Sequence, residues 1–158
     1  LVLVGVTIYH AVQAKKMAEE MRDAKFEALR PLVWIIQPRP HWPEGQDLPQ
    51  HITIQLETKG LGPALNILLK FIHPDGPFSE QYISFMAVGM NGSWALKSLG
   101  ASDARLAESS FIQAIYEDVY GRKFESKLEG ELDEKERDFR IVRFTTRRLS
   151  QGESPNDS

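Results

Sequence analysis

The sequence predicts a mainly β protein, an antiparallel β-sandwich preceded by one helix. Three observations predict it. Roughly six to eight short β-rich runs follow Pro31, punctuated by Gly and Pro turns and with no long helix between them to make parallel crossovers. Several runs alternate apolar and polar residues, the period of a strand with one face in a core. Ahead of Pro31, the interval from Gln13 to Arg30 contains neither Gly nor Pro and is rich in helix formers.

The helical part has two chemically distinct halves. Leu1-Val-Leu-Val-Gly-Val-Thr-Ile-Tyr9 is apolar. An apolar run of about nine to fourteen residues falls short of the roughly 20 that a bilayer span requires. The chain opens without an initiator Met, and we expect residues 1–12 to be the C-terminal part of a membrane span completed upstream. A cleaved secretory signal fits less well, because it would leave a small-residue cleavage site and a polar start. The other alternative is a buried amphipathic helix of a soluble protein. Lys15, Lys16, Arg22 and Lys25 lie just past the apolar run, where cations favour the cytoplasmic side. The expected address is therefore the inner (cytoplasmic) membrane, with one span and the following domain in the cytoplasm.

Residues 13–30 are expected to form a juxtamembrane helix. His10, Ala14, Met17, Met21, Ala24 and Ala28 recur at heptad spacing, so Met17 and Met21 could mediate homo-oligomerisation. The seam is thin, since Met and Ala bury less than Leu or Ile. Packing of this helix on the domain that follows is the alternative. Pro31 ends the helix, because its ring cannot continue the hydrogen-bond ladder and it pushes Arg30 toward extended geometry.

Strands are then expected at Leu32–Ile36, His51–Glu57, Leu65–Ile72 and Gln81–Val88. In the second, Ile52, Ile54 and Leu56 share a face. The interval from Gln37 to Gln50, with four prolines, reads as a loop, and His73-Pro-Asp-Gly-Pro77 reads as a turn. From Gly89 to Ser110 the pattern is weak. Trp94–Leu99 is compatible with a short strand and Ser102–Glu108 with a helical turn or two. Phe111–Val119 and Arg122–Glu129 form the clearest hairpin, closed by Asp118-Val-Tyr-Gly121. Asp first and Gly fourth suit a type I turn, with Gly taking the positive φ of an adjoining bulge. Phe139–Thr146 is the last strand. The polar stretch from Gln151 to Ser158 reads as a disordered tail, which leaves the sandwich at residues 31–149. The strand count and turn spacing point to an immunoglobulin-like sandwich, although the Cys-Trp-Cys pattern of antibody domains is missing.

Composition narrows the function classes. At 158 residues the chain holds one ordinary domain plus appendages. A formal net charge of -3 argues against nonspecific nucleic-acid binding. The absence of Cys removes disulfides, thiolate metal sites and Cys nucleophiles, and fits a reducing compartment. His10, His41, His51 and His73 show no short metal-ligand spacing. The carboxylates concentrate between Glu125 and Asp138, mixed with Lys127, Lys135 and Arg137, and read as a solvated hairpin end. Arg147-Arg148 reads as a solvated strand end. No Ser occupies a Gly-x-Ser-x-Gly elbow. The sequence thus proposes no catalytic residue, metal or cofactor.

The most distinctive motif is Thr58-Lys-Gly-Leu-Gly-Pro-Ala-Leu-Asn66. A phosphate loop would end in Lys-Ser/Thr or lead into a helix, whereas a strand follows here. The structural expectation is a tight connection in which Gly60 and Gly62 supply turn dihedrals, Pro63 stiffens the exit and Asn66 bonds across. Together with the Gln13–Met21 helix, Arg30-Pro31 and the hairpin Tyr116-Glu-Asp-Val-Tyr-Gly-Arg-Lys-Phe124, this motif resembles a group of uncharacterised bacterial and archaeal membrane-anchored proteins. Those have one N-terminal span and a C-terminal β-sandwich. Lys59 departs from the Asn-like residue usual in the group. The resemblance implies an anchored sandwich and no known activity.

The expected function is a noncatalytic module, held at the bilayer by its N-terminal segment, that binds an as yet unspecified protein partner. Two rivals are an anchored enzyme with a site assembled from loops, and an extracytoplasmic carbohydrate- or peptide-binding domain using Trp34, Trp42 and Trp94.

Overall fold

The computed structural model describes residues 2–45, 49–72, 79–97, 110–133 and 135–150. The chain divides into two units, Leu1–Arg30 and Pro31–Ser158. His73 and its turn, the Ser102–Glu108 interval and the tail from Gln151 lie outside the described residues.

The first unit is helix α1, Val2–Ala28, which runs unbroken from the apolar start through the charged half. At 1.5 Å per residue it is roughly 40 Å long. Among the described residues no helix is long and apolar enough to cross a membrane. The heptad positions Met17 and Met21 are 57% and 70% exposed. The helix closes as Pro31 requires: Leu29 N donates to Lys25 O at 3.2 Å, and Arg30 N tightens the last turn by donating to Glu27 O at 3.1 Å. A 3.8 Å Lys16–Glu20 pair lies on its surface, with both side chains about two-thirds exposed or more. Such a pair adds little stability.

The second unit contains eight described strands: β1 Val33–His41, β2 His51–Thr58, β3 Ala64–Ile72, β4 Ser79–Met86, β5 Asn91–Lys97, β6 Ser110–Glu117, β7 Lys123–Asp133 and β8 Asp138–Arg148. They form two antiparallel sheets, ordered β1-β2-β5 and β4-β3-β6-β7-β8. The alternation in β2 explains the arrangement. Ile52, Ile54 and Leu56 are fully buried while their polar neighbours are half-buried, so one face of the smaller sheet is committed to a core. Ile67 and Leu69 of β3, Ile112 and Tyr116 of β6, and Phe124 and Leu128 of β7 complete the same core from the larger sheet. Tyr116 also joins the sheets through hydrogen bonds. Its hydroxyl accepts from Val33 N at 3.3 Å and meets Ser126 Oγ at 3.2 Å, which satisfies a phenol that is fully buried.

Several boundaries differ from the sequence reading, each for a tertiary reason. β1 continues through Pro38 and Pro40 to His41, where the proline-rich sequence reads as a loop. It is a terminal strand, so prolines whose N–H is missing need not break a ladder on both sides. A bulge between Ile36 and Arg39, with Gln37 at φ 38°, absorbs the misfit. β5 starts at Asn91, three residues before the expected Trp94, because pairing with β2 recruits the weak strand formers Asn91, Gly92 and Ser93.

The carboxylates between Glu125 and Asp138 are not one solvated hairpin end. Glu125, 3% exposed, is bonded within the larger sheet by Gln113 Nε2 and, at 2.5 Å, by Arg147 Nε. Glu129 accepts from Arg143 Nε at 3.0 Å and lies 3.4 Å from Lys127 Nζ. The sequence misses the Gln113–Glu125, Arg147–Glu125 and Arg143–Glu129 contacts because they join neighbouring strands.

Burial pushes the Glu129 carboxyl up, but hydrogen bonds from Arg143 and Lys127 and the attraction of their charges outweigh it. The folded value therefore lies below the usual 4.5. A depressed acid stabilises the fold fully above its unfolded pKa, and that contribution is lost as pH falls through the folded value. Arg143→Ala should thus reduce the difference between melting temperatures at neutral pH and at pH about 3. An unchanged pH profile would contradict the assignment.

Candidate functional site

The antiparallel registers bring three connections of the second unit to one end. Val33 lies opposite Thr58, Glu57 opposite Asn91, Leu65 opposite both Phe85 and Glu117, and Glu117 opposite Lys123. This pole therefore collects the β2–β3 connection (residues 59–63), the β4–β5 turn (87–90) and the β6–β7 turn (118–122). The Gly60–Asn66 motif and the Asp118–Gly121 turn, distant in sequence, meet here.

Two buried polar side chains organise the pole. Thr58 is 1% exposed, and its hydroxyl lies against the carbonyls of Ala87 and Met90, the latter at 3.1 Å. Its N–H donates to Met90 O and its carbonyl accepts from Gly89 N, both at 3.0 Å. The β4–β5 turn is thereby pinned beside the β2–β3 connection. Asp118 does the same for its own hairpin. It is 2% exposed, and Oδ1 accepts from Tyr120 N and Arg122 N at 2.9 Å while Oδ2 accepts from Arg122 Nε at 2.5 Å. Gly121 N returns to Asp118 O at 3.0 Å, and Gly121 has φ 73°. The expected type I turn with a left-handed glycine is present.

The glycine motif behaves differently from its expectation. The left-handed glycines among the described residues are Gly45, Gly89 and Gly121, and neither Gly60 nor Gly62 is among them. Gly62 is buried, and Pro63 leads directly into β3. The unusual dihedral of this motif belongs to Asn66, at φ 50°, where the β3–β6 register shifts between Leu65 and Leu68. Asn66 does bond across strands. Its amide nitrogen donates to Glu117 Oε2 at 2.9 Å, and its oxygen accepts from the Tyr82 hydroxyl at 2.6 Å. One side chain thus ties β4 and β6 to the irregular start of β3. Tyr82 does not stand out in the sequence, and Thr58 and Glu117, though they lie in the two motifs, have partners identified only by a register that one sequence does not reveal.

The framework presents a group of apolar side chains to solvent, beside the exposed Lys59 and Lys123. Leu61, Val88, Met90, Val119 and Tyr120 are between 43% and 69% exposed on the three connections. Tyr82 and Phe85 extend this surface along β4, at 60% and 49%. Tight turns normally carry polar tips, so exposed aliphatic and aromatic side chains on hydrogen-bonded turns make this pole the candidate contact surface.

The other candidate residues lie elsewhere. His41 and His51 face each other across β1 and β2 with rings stacked at 4.7 Å. No group of three metal-ligating side chains occurs among the described residues. Trp42 and Trp94 pack against the core, while Trp34, 37% exposed, stacks on Phe144 at 4.6 Å beneath Lys59 Nζ. The three tryptophans therefore do not form one sugar-stacking platform. The chain matches no known family model, no curated protein and no solved structure.

Proposed function

We propose that this chain is a membrane-anchored, noncatalytic β-sandwich module whose domain binds another protein in the cytoplasm. The observation that carries the interaction reading is the apolar surface at the loop pole and along β4. It is presented on turns that Thr58 and Asp118 fasten from beneath, so its exposure is a built property of the fold. A preorganised apolar surface loses less entropy on binding than a mobile one. The anchoring reading is supported by α1, in which apolar first turns and the cations Lys15, Lys16, Arg22 and Lys25 belong to one unbroken helix. The strand order β1-β2-β5 and β4-β3-β6-β7 favours an immunoglobulin-like arrangement in which the fourth strand has switched sheets, with β8 added at the edge.

Two measurements test this reading. A reporter fused after Ser158 should behave as cytoplasmic, and extracytoplasmic activity would reverse the orientation. Met17 and Met21 are the seam through which copies would associate. Replacing both with Lys should convert any oligomer of the detergent-solubilised full chain to monomer, since burying charge in a heptad seam is costly. Unchanged mass by light scattering in an oligomeric sample would exclude that seam.

A further inference from the structure

We infer that the free edge of β4 receives an extended strand from a protein partner, one that alternates basic and apolar side chains. The inference deepens the protein-interaction reading above and rests on it. Each sheet ends in two strands, and three of the four carry features that oppose pairing with another chain. β1 contains Pro38 and Pro40 and a bulge. β8 shifts register opposite Glu129 and Gly130 and carries Arg140, Arg143, Arg147 and Arg148. β5 is the shortest, contains Gly92, and has no large apolar side chain among the exposed ones. Bulges, prolines and charges are the usual means by which edges are blocked.

β4 has none of them. Ser-Glu-Gln-Tyr-Ile-Ser-Phe-Met contains no Pro, Lys or Arg, and its pairing with β3 runs from Phe71↔Ser79 to Ala64↔Met86 without a register shift. Among the described residues it pairs with β3 alone. It also exposes two aromatic rings, Tyr82 at 60% and Phe85 at 49%. The Asn66–Tyr82 bond fixes one of these at 2.6 Å. An added strand would gain main-chain hydrogen bonds from the edge and side-chain contacts from these rings. Charge selects the partner: Glu80 is the only charged residue of β4, and it is exposed. A cation on the incoming strand is therefore favoured and a carboxylate disfavoured.

The test uses the full chain in detergent micelles and peptides of about ten residues, the length of a long strand. One alternates Lys and Val, one alternates Glu and Val, and one is the Lys/Val peptide with a central Pro. Hydrogen exchange is followed along the chain. The Lys/Val peptide should slow exchange in Ser79–Met86, and the other two should not. Phe85→Lys should weaken that protection while melting stays near that of the unmodified protein, because this side chain is exposed and, having no polar atom, carries none of the hydrogen bonds of the fold. Protection confined to another edge or to the loop pole would overturn the β4 assignment and leave the interaction reading standing. Protection of β4 that grows with protein concentration before peptide is added would assign the edge to a second copy. No slowing anywhere with any peptide would overturn both the inference and the reading beneath it.

Discussion

Asp118→Ala is expected to destabilise the domain by about 3 kcal/mol, through loss of a buried carboxylate that holds three donors. Tyr120 N and Arg122 N would lose their shared acceptor, and the Arg122 guanidinium, whose side chain is 16% exposed, would lose the carboxylate at 2.5 Å. A loss of this size lowers the melting temperature of a domain this long by on the order of 10 °C. Asp118→Asn separates the contributions. Its remaining oxygen can still accept from the two backbone N–H groups, but its amide nitrogen cannot accept from Arg122 Nε. It should therefore lie between Asp118→Ala and the unmodified protein. Native-like melting of Asp118→Ala would show that the turn does not depend on this hub.

Gly130→Ala should cost about 2–3 kcal/mol for a steric reason. A Cβ at residue 130 would meet Phe139 Cε1 at 2.2 Å and the Arg140 carbonyl oxygen at 2.6 Å. The ring could rotate, but the carbonyl belongs to the backbone of β8, and the register already shifts there between Glu129 and Gly130. Gly92 supplies the control. Its nearest obstacle is the Trp94 ring, at 2.4 Å, with no backbone atom among the three closest. Because a side chain yields more readily than a strand, Gly92→Ala should be the milder substitution. Equal losses from the two would contradict this reading of the β7–β8 approach.

The contrast between these positions shows where sequence and structure diverge. Asp118 and Gly121 are legible because one turn contains both the cause and the effect: a side-chain acceptor and a residue free to adopt positive φ three positions apart. The buried triplet of β2 is legible for the same kind of reason, since its period is local. Gly130 is not legible, because its requirement comes from Phe139 and Arg140 across a strand pair. β1 shows the reverse error. Pro38 and Pro40 have strong local meaning, yet their position at a sheet edge allows the strand to continue. Asn66 lies between these cases: the motif around it is visible, while its partners Tyr82 and Glu117 come from two other strands. The connection at Gly60–Asn66 is a hydrogen-bonded junction, with the left-handed residue at Asn66 in place of a glycine.

The surface proposed to bind a partner is not legible in the sequence. The residues that make the loop pole apolar, Leu61, Val88, Met90, Val119 and Tyr120, sit in three separate connections and converge through strand pairing. No spacing in the sequence joins them. The apolar start of α1, by contrast, is contiguous and can be read directly.

Alkaline carbonate extraction of membranes from cells expressing the complete gene tests the central claim most directly, because it releases proteins held by surface charge and retains those held by an apolar span. The account predicts that the full-length protein stays in the membrane pellet. Its complete release into the supernatant would contradict the anchored reading.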